Sequence, residues 1–140
     1  MSDNLSRTTF TGAKLMLFLG GRLVVLLRDD IAGIPYPGHW DFPGGGREGQ
    51  ESPETCVRRE TWEETGLTVP QAALCWRRFY PSGPAGSFLF AAHLSADREA
   101  ELRLGDEGQA LRLMSPADYL EHPGAIPHFA QRLRVYLDQI

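Results

Sequence analysis

Apolar residues fall in short blocks separated by polar, glycine- and proline-rich stretches, and their spacing changes from block to block. "AKLMLFLGGRLVVLLRD" holds two strand-length apolar runs around Gly20-Gly21, which predicts a β-hairpin. "ALCWRRFYP" (73–81) and "SFLFAAHL" (87–94) predict two further strands around a Pro/Gly turn, and "QALRLMS" (109–115) another after the polar turn "GDEG". In "IPHFAQRLRVYLDQI" apolar residues recur at 129, 133, 136/137 and 140, a helical stripe. Ser52-Pro53-Glu54 supplies an N-cap, a first-turn proline and an acid at the positive end of the dipole. Gly66 supplies a C-cap, so a helix over 53–65 is predicted. Ser115-Pro116 opens a second, short helix in the same way. "DIAGIPYPGHWDFPGGG" (30–46) is too rich in Gly and Pro for either pattern and reads as loop, with Tyr36, Trp40 and Phe42 packing part of it down. Residues 1–9 read as a loose terminal arm. Strands and helices interleave without repeats or a linker, which predicts one domain over 1–140 of α/β or α+β class.

Composition changes this picture little. The chain has 140 residues, 42% hydrophobic and 23% charged, enough to bury a core without staples. A net charge of −4 and a pI near 5.5 argue against polymeric nucleic acid as a partner, because a duplex asks for a basic face. A nucleotide-sized ligand is compatible, since a metal ion can neutralise its phosphates. Thirteen of the fourteen basic residues are arginine, which suits planar anion contacts and equally reflects a GC-rich genome. Cys56 and Cys75 are too few and too far apart for a zinc module or disulfide framework, so reduced thiols in a cytoplasmic protein are expected. The polar start "MSDNLSRTTF" lacks the apolar core of a signal peptide. The apolar stretch 15–28 is split by Gly20, Gly21 and Arg22, so no membrane association is expected.

The chemistry concentrates on the predicted helix 53–65. Glu60, Glu63 and Glu64 stand at i, i+3 and i+4 and project from one face. Three readings are open: a solvated acidic stripe, a cation site, or a catalytic cluster. These carboxylates repel one another beside the negative end of the helix dipole, where anions are unfavourable. The helix is also entered from a Gly-Gly-Gly loop whose backbone groups can face a ligand. Hard cations such as Mg²⁺ and Mn²⁺ favour such an oxygen-rich setting.

Residues 45–67 match G-x5-E-x7-R-E-U-x-E-E-x-G-U, with Gly45, Glu51, Arg59-Glu60, Glu63-Glu64 and Gly66-Leu67 at the fixed positions and Thr61 the one soft departure. This segment resembles the Nudix box. "WDFPGG" upstream and "DEGQALRLMSPADYL" downstream resemble the flanks of the box in MutT-type members. The resemblance implies a Nudix fold, a mixed β-sheet sandwiched between α-helices (α/β/α). It also implies hydrolysis of a nucleoside diphosphate linked to another group, by water attack at phosphorus with Mg²⁺ or Mn²⁺ as cofactor.

By match to the box, Glu60, Glu63 and Glu64 are the metal ligands, with the Gly44 carbonyl as a neutral one. Glu63, Glu64, Arg59 and Glu107 are the catalytic candidates. Arg59 orients by pairing with Glu51, and Glu107 is a further ligand or base, so the proton acceptor stands between Glu64 and Glu107. Arg28, Trp40 and Gly45 are the substrate-binding candidates: Arg28 on a phosphate, Trp40 by stacking on a base, Gly45 as the bare backbone that opens the box. Tyr36 shares the stacking expectation, and Phe42 is assigned to the core. The substrate is expected to be a nucleoside triphosphate or another nucleoside-diphosphate-linked molecule, with 8-oxo-dGTP one candidate. "HPGAIPHF" lacks the asparagine with which MutT-type members read a purine edge. The alternatives are an ADP-ribose or nucleotide-sugar type, whose spaced proline falls between Pro81 and Pro84, and a nucleotide-sensing module that does not cleave. The apolar C-terminal helix serves either a homodimer or the cover of the sheet.

Overall fold

The structure is a computed structural model that describes residues 9–140; the arm expected at 1–9 lies outside these residues apart from Thr9, which is exposed. β1 (Gly12–Leu19) and β2 (Arg22–Leu27) form from the two apolar runs. Leu19 pairs with Arg22, and Gly20 and Gly21 hold φ of 56° and 87°, the left-handed pair that a two-residue hairpin demands.

The alternation along β1 sorts the core into two layers. Leu15, Leu17 and Leu19 pack with Cys56, Val57 and Leu67, under α1 (Pro53–Thr65). Met16 and Phe18 point the other way and pack with Tyr119, Phe129 and Leu133, from α2 (Pro116–Glu121) and α3 (Pro127–Leu137). Helices therefore cover both faces of one mixed seven-stranded sheet, as an apolar strand with no polar face requires.

β6 (Ala85–Leu94) runs parallel to the whole of β1, and β5 (Leu74–Ser82) runs antiparallel to β6 at the sheet margin. β7 (Ala110–Met114) pairs with β2. β1 and β2 themselves pair only at Phe18–Leu23 and Leu19–Arg22. Beyond that they diverge, and β3 (Trp40–Asp41) takes the free edge of β2 while β4 (Gly44–Gly46) takes that of β1. The stretch 30–46 thus differs from its expected loop character at "WD" and "GGG", because the open wedge supplies backbone partners that local propensity does not announce. That wedge carries the loop into α1.

α1 has the expected bounds. Ser52 Oγ accepts from the Thr55 amide at 3.1 Å, Pro53 opens the first turn, and Gly66 (φ 78°) closes the helix with its amide on Trp62 O. α3 stops at Leu137, short of the predicted 140; Phe129, Leu133 and Tyr136 are buried and Ile140 is exposed. No helix among the described residues is long and apolar enough to cross a membrane.

Candidate active site

Close backbone approach puts the glutamates where they are. Gly44 has φ of 132°, and a Cβ there would overlap Ala13 O and Lys14 Cα across the β1–β4 pairing. Its amide donates to Glu64 Oε1 at 2.9 Å. A Cβ on Gly45 would overlap the Glu60 carboxylate, so that side chain rests on bare backbone. The glycine run is therefore what lets the last two turns of α1 lie against β4.

Arg59 gathers the acids. Nε donates to Glu51 Oε2 at 2.6 Å, Nη2 to Glu51 Oε1 at 3.1 Å and to Gly46 O at 2.8 Å, and Nη1 to Glu60 Oε2 at 2.8 Å and Glu63 Oε1 at 3.2 Å. Glu48 Oε2 lies 3.5 Å from Nη1. The Arg59 hydrogen bond holds the Glu51 carboxyl below its usual value, and Glu51 raises the guanidinium in turn. One cation thus serves four carboxylates, which leaves an excess of negative charge on the outer face.

Glu64 faces inward. Burial pushes its carboxyl up to about 7; Lys14 and the Gly44 amide act against that shift, while Glu60 and Asp41 add to it. It lines two adjoining cavities. One, of about 570 Å³, is shared with Glu60, Glu63, Arg103 and Glu107; the other, of about 220 Å³, with Arg28, Asp41 and Glu107. Glu107 reaches both because its loop is tied to the end of α1: the Arg103 amide donates to Thr65 O at 2.8 Å and the Gly105 amide to Glu64 O at 3.2 Å.

Two residues here escaped the sequence reading. Asp41 is 2% exposed, and its Oδ2 accepts from Lys14 Nζ and Arg28 Nη1, each at 2.9 Å. Its Oδ1 has no hydrogen-bond partner among the described residues. Lys14, the sole lysine, also donates to Phe42 O at 3.3 Å and Gly44 O at 3.0 Å. Their signal was a lone charge inside an apolar run, in "AKLML" and "HWDFP". Arg28 lines the cleft but is held internally by Asp41 and by Pro35 O at 2.8 Å. Trp40 is a correction: it is 5% exposed, its amide bonds Gly124 O and Arg112 lies 4.7 Å over its ring, so it belongs to the core and offers a base no face. Tyr36, by contrast, is exposed.

Among the described residues no three Asp, Glu, His or Cys side chains are converged into a ready-made cation cage, because Arg59 draws Glu60 and Glu63 while Gly44 holds Glu64. The donor set nevertheless fits a hard cation: it is all oxygen, carries surplus negative charge, and includes a buried carboxyl whose ionisation a divalent ion would favour.

The family model described as the NUDIX domain matches residues 11–134. A MutT-like protein of Streptomyces ambofaciens is 49% identical over 49 residues, 35% of this chain and 28% of that protein. An 8-oxo-dGTP diphosphatase of Proteus vulgaris is 49% identical over 37 residues, 26% of this chain and 33% of that protein. The matched segments thus span no more than a third of either relative's length. The crystal structure of a MutT protein from Methanosarcina mazei Go1 superposes with a TM-score of 0.74 at 20% identity, covering 94% of this chain and 96% of that one, a likeness of fold. Since the match runs from the start of β1 into α3 and takes in the glycine loop, the Arg59 hub and the glutamates of α1, the chain belongs to the Nudix family.

Proposed function

We propose that this protein hydrolyses a nucleoside triphosphate, or another nucleoside-diphosphate-linked compound, with Mg²⁺ or Mn²⁺. The observation that carries the reading is that Glu60, Glu63, Glu64 and Glu107 line two adjoining cavities, with Arg59 tying the outer acids to the glycine loop. Glu60, Glu63 and Glu64 would hold the divalent ions, whereas the Gly44 carbonyl expected as a neutral ligand accepts from Lys14 Nζ at 3.0 Å. Such ions screen the charge of a diphosphate and lower the pKa of water. Arg59 keeps Glu60 and Glu63 at the rim, and its grip on Glu51 and Gly46 O fixes it to the loop. Glu64 and Glu107, which line both cavities, are the two candidates to take a proton from water.

A panel of dNTPs, 8-oxo-dGTP and ADP-ribose, scored for products with Mg²⁺ or Mn²⁺ and again with EDTA, tests the reading. Metal-dependent release of a nucleoside monophosphate is expected, with Glu64→Gln and Glu64→Asp each lowering kcat by at least about 100-fold. Turnover that persists in EDTA, or a Glu64→Gln variant near wild-type rate, defeats it.

A further inference from the structure

A third cleft, of about 250 Å³, opens between β1, β4, β6 and α3. Gly45 and Gly46 line it, and Gly45 also backs the Glu60 carboxylate, so the cleft lies alongside the acidic site. Ala13, Leu89 and Phe129 give it apolar sides, and its volume suits a single ring system rather than a whole nucleotide. Two cations line it. Lys14 is saturated, since Asp41 Oδ2, Phe42 O and Gly44 O take its three hydrogens. Arg132 is not. Its guanidinium sits 3.7 Å over the Tyr80 ring, is partly desolvated, and has no carboxylate partner among the described residues. A half-buried planar fork of donors facing a cleft, with its own acceptors missing, calls for a ligand that brings them.

We infer that Arg132 is a specificity-determining residue that docks the acceptor pair O6/N7 of a guanine base, selecting guanine nucleotides unoxidised at C8; this rests on the nucleotide reading above. Arginine offers donors only. Guanine presents two adjacent acceptors to it, whereas adenine sets a donor amino group beside N7. Oxidation at C8 places a hydrogen on N7 and removes one of the two acceptors. His128, on the same rim, is held below its usual pKa by burial and by the Arg132 charge, so it adds no second cation at neutral pH.

Binding separates this inference from the hydrolase reading. Calorimetry of the metal-free protein with dGMP, dAMP and 8-oxo-dGMP is expected to favour dGMP by about tenfold to 100-fold over each of the others. Arg132→Gln, whose amide suits adenine N6/N7, should erase the preference or turn it toward dAMP, and Arg132→Lys should weaken dGMP binding, both at unchanged circular dichroism. Equal binding of dGMP and dAMP, tighter binding of 8-oxo-dGMP, a preference that survives Arg132→Gln, or a variant that changes only Tm overturns the role of Arg132. Failure of every triphosphate to be cleaved defeats the hydrolase reading alone.

Discussion

At the scale of single residues, Glu64 is where burial and charge conflict most openly. Its carboxyl is raised from 4.5 to about 7, chiefly by desolvation. Between those values the folded chain keeps a proton that the unfolded chain has lost, so this group makes stability fall as pH rises through the window. In metal-free buffer Glu64→Gln should therefore be more stable than wild type at pH 8, by on the order of 1–3 kcal/mol, and should show no gain at pH 4. Urea melts at the two pH values check this, and an equal gain at both would remove ionisation as the cause. The glutamates were legible in the sequence because their spacing alone places them on one helical face. The Lys14–Asp41–Arg28 cluster was not, since its members lie 27 and 13 positions apart and meet only after β1, β2 and β3 have paired. Arg132 was hidden for a related reason: on α3 it looks like any exposed-face arginine until the cleft against β6 is formed.

At the scale of elements, the contact between β4 and the second half of α1 decides the geometry of the site. The two glycines at that contact predict different failures. Gly44→Ala forces a side chain into φ of 132° and against the β1 backbone, neither of which can move cheaply. A loss of about 2–4 kcal/mol is expected, read as a lower urea midpoint. Gly45→Ala meets only the end of the Glu60 side chain, so stability should change by less than about 1 kcal/mol while the displaced carboxylate lowers kcat at least about tenfold. Two variants with the same rank order in stability and activity would show that the loop acts only as a structural support. α1 itself was legible to the residue, because Ser52, Pro53 and Gly66 are local signals with local mechanisms. β3 and β4 were not, because two- and three-residue strands in a Gly/Pro-rich stretch owe their form to the edges that the diverging β1 and β2 leave open. Trp40 was misread by the same token: an aromatic in a supposed loop looked available to a ligand, yet its strand pairing and the bridge to Ala125 bury it.

At the scale of the molecule, both apolar layers are anchored on β1, and the acidic site sits at one end of the wedge between its two partner edges. The sandwich was foreseeable from strands that lack a polar face, together with helices that carry apolar residues. The order β3-β2-β1-β6-β5 was not, because a parallel β1–β6 pairing joins residues 75 positions apart. Folding gathers Glu48, Glu51, Glu60 and Glu63 around a single guanidinium; the unfolded chain keeps them further apart, so repulsion is a cost borne mainly by the native state. A divalent ion that binds there stabilises the fold by mass action, about 2.7 kcal/mol at 100-fold excess over Kd. Tm should rise with added Mg²⁺ or Mn²⁺ well beyond the rise in NaCl of equal ionic strength, which only screens. A Glu60→Gln/Glu63→Gln double variant should start from a higher Tm in EDTA and lose the response to Mg²⁺. Equal melting curves in Mg²⁺ and in matched NaCl would mean that the acids are a solvated surface, and the glycine contact, the Arg59 hub and the buried Glu64 would then need a reason other than a metal.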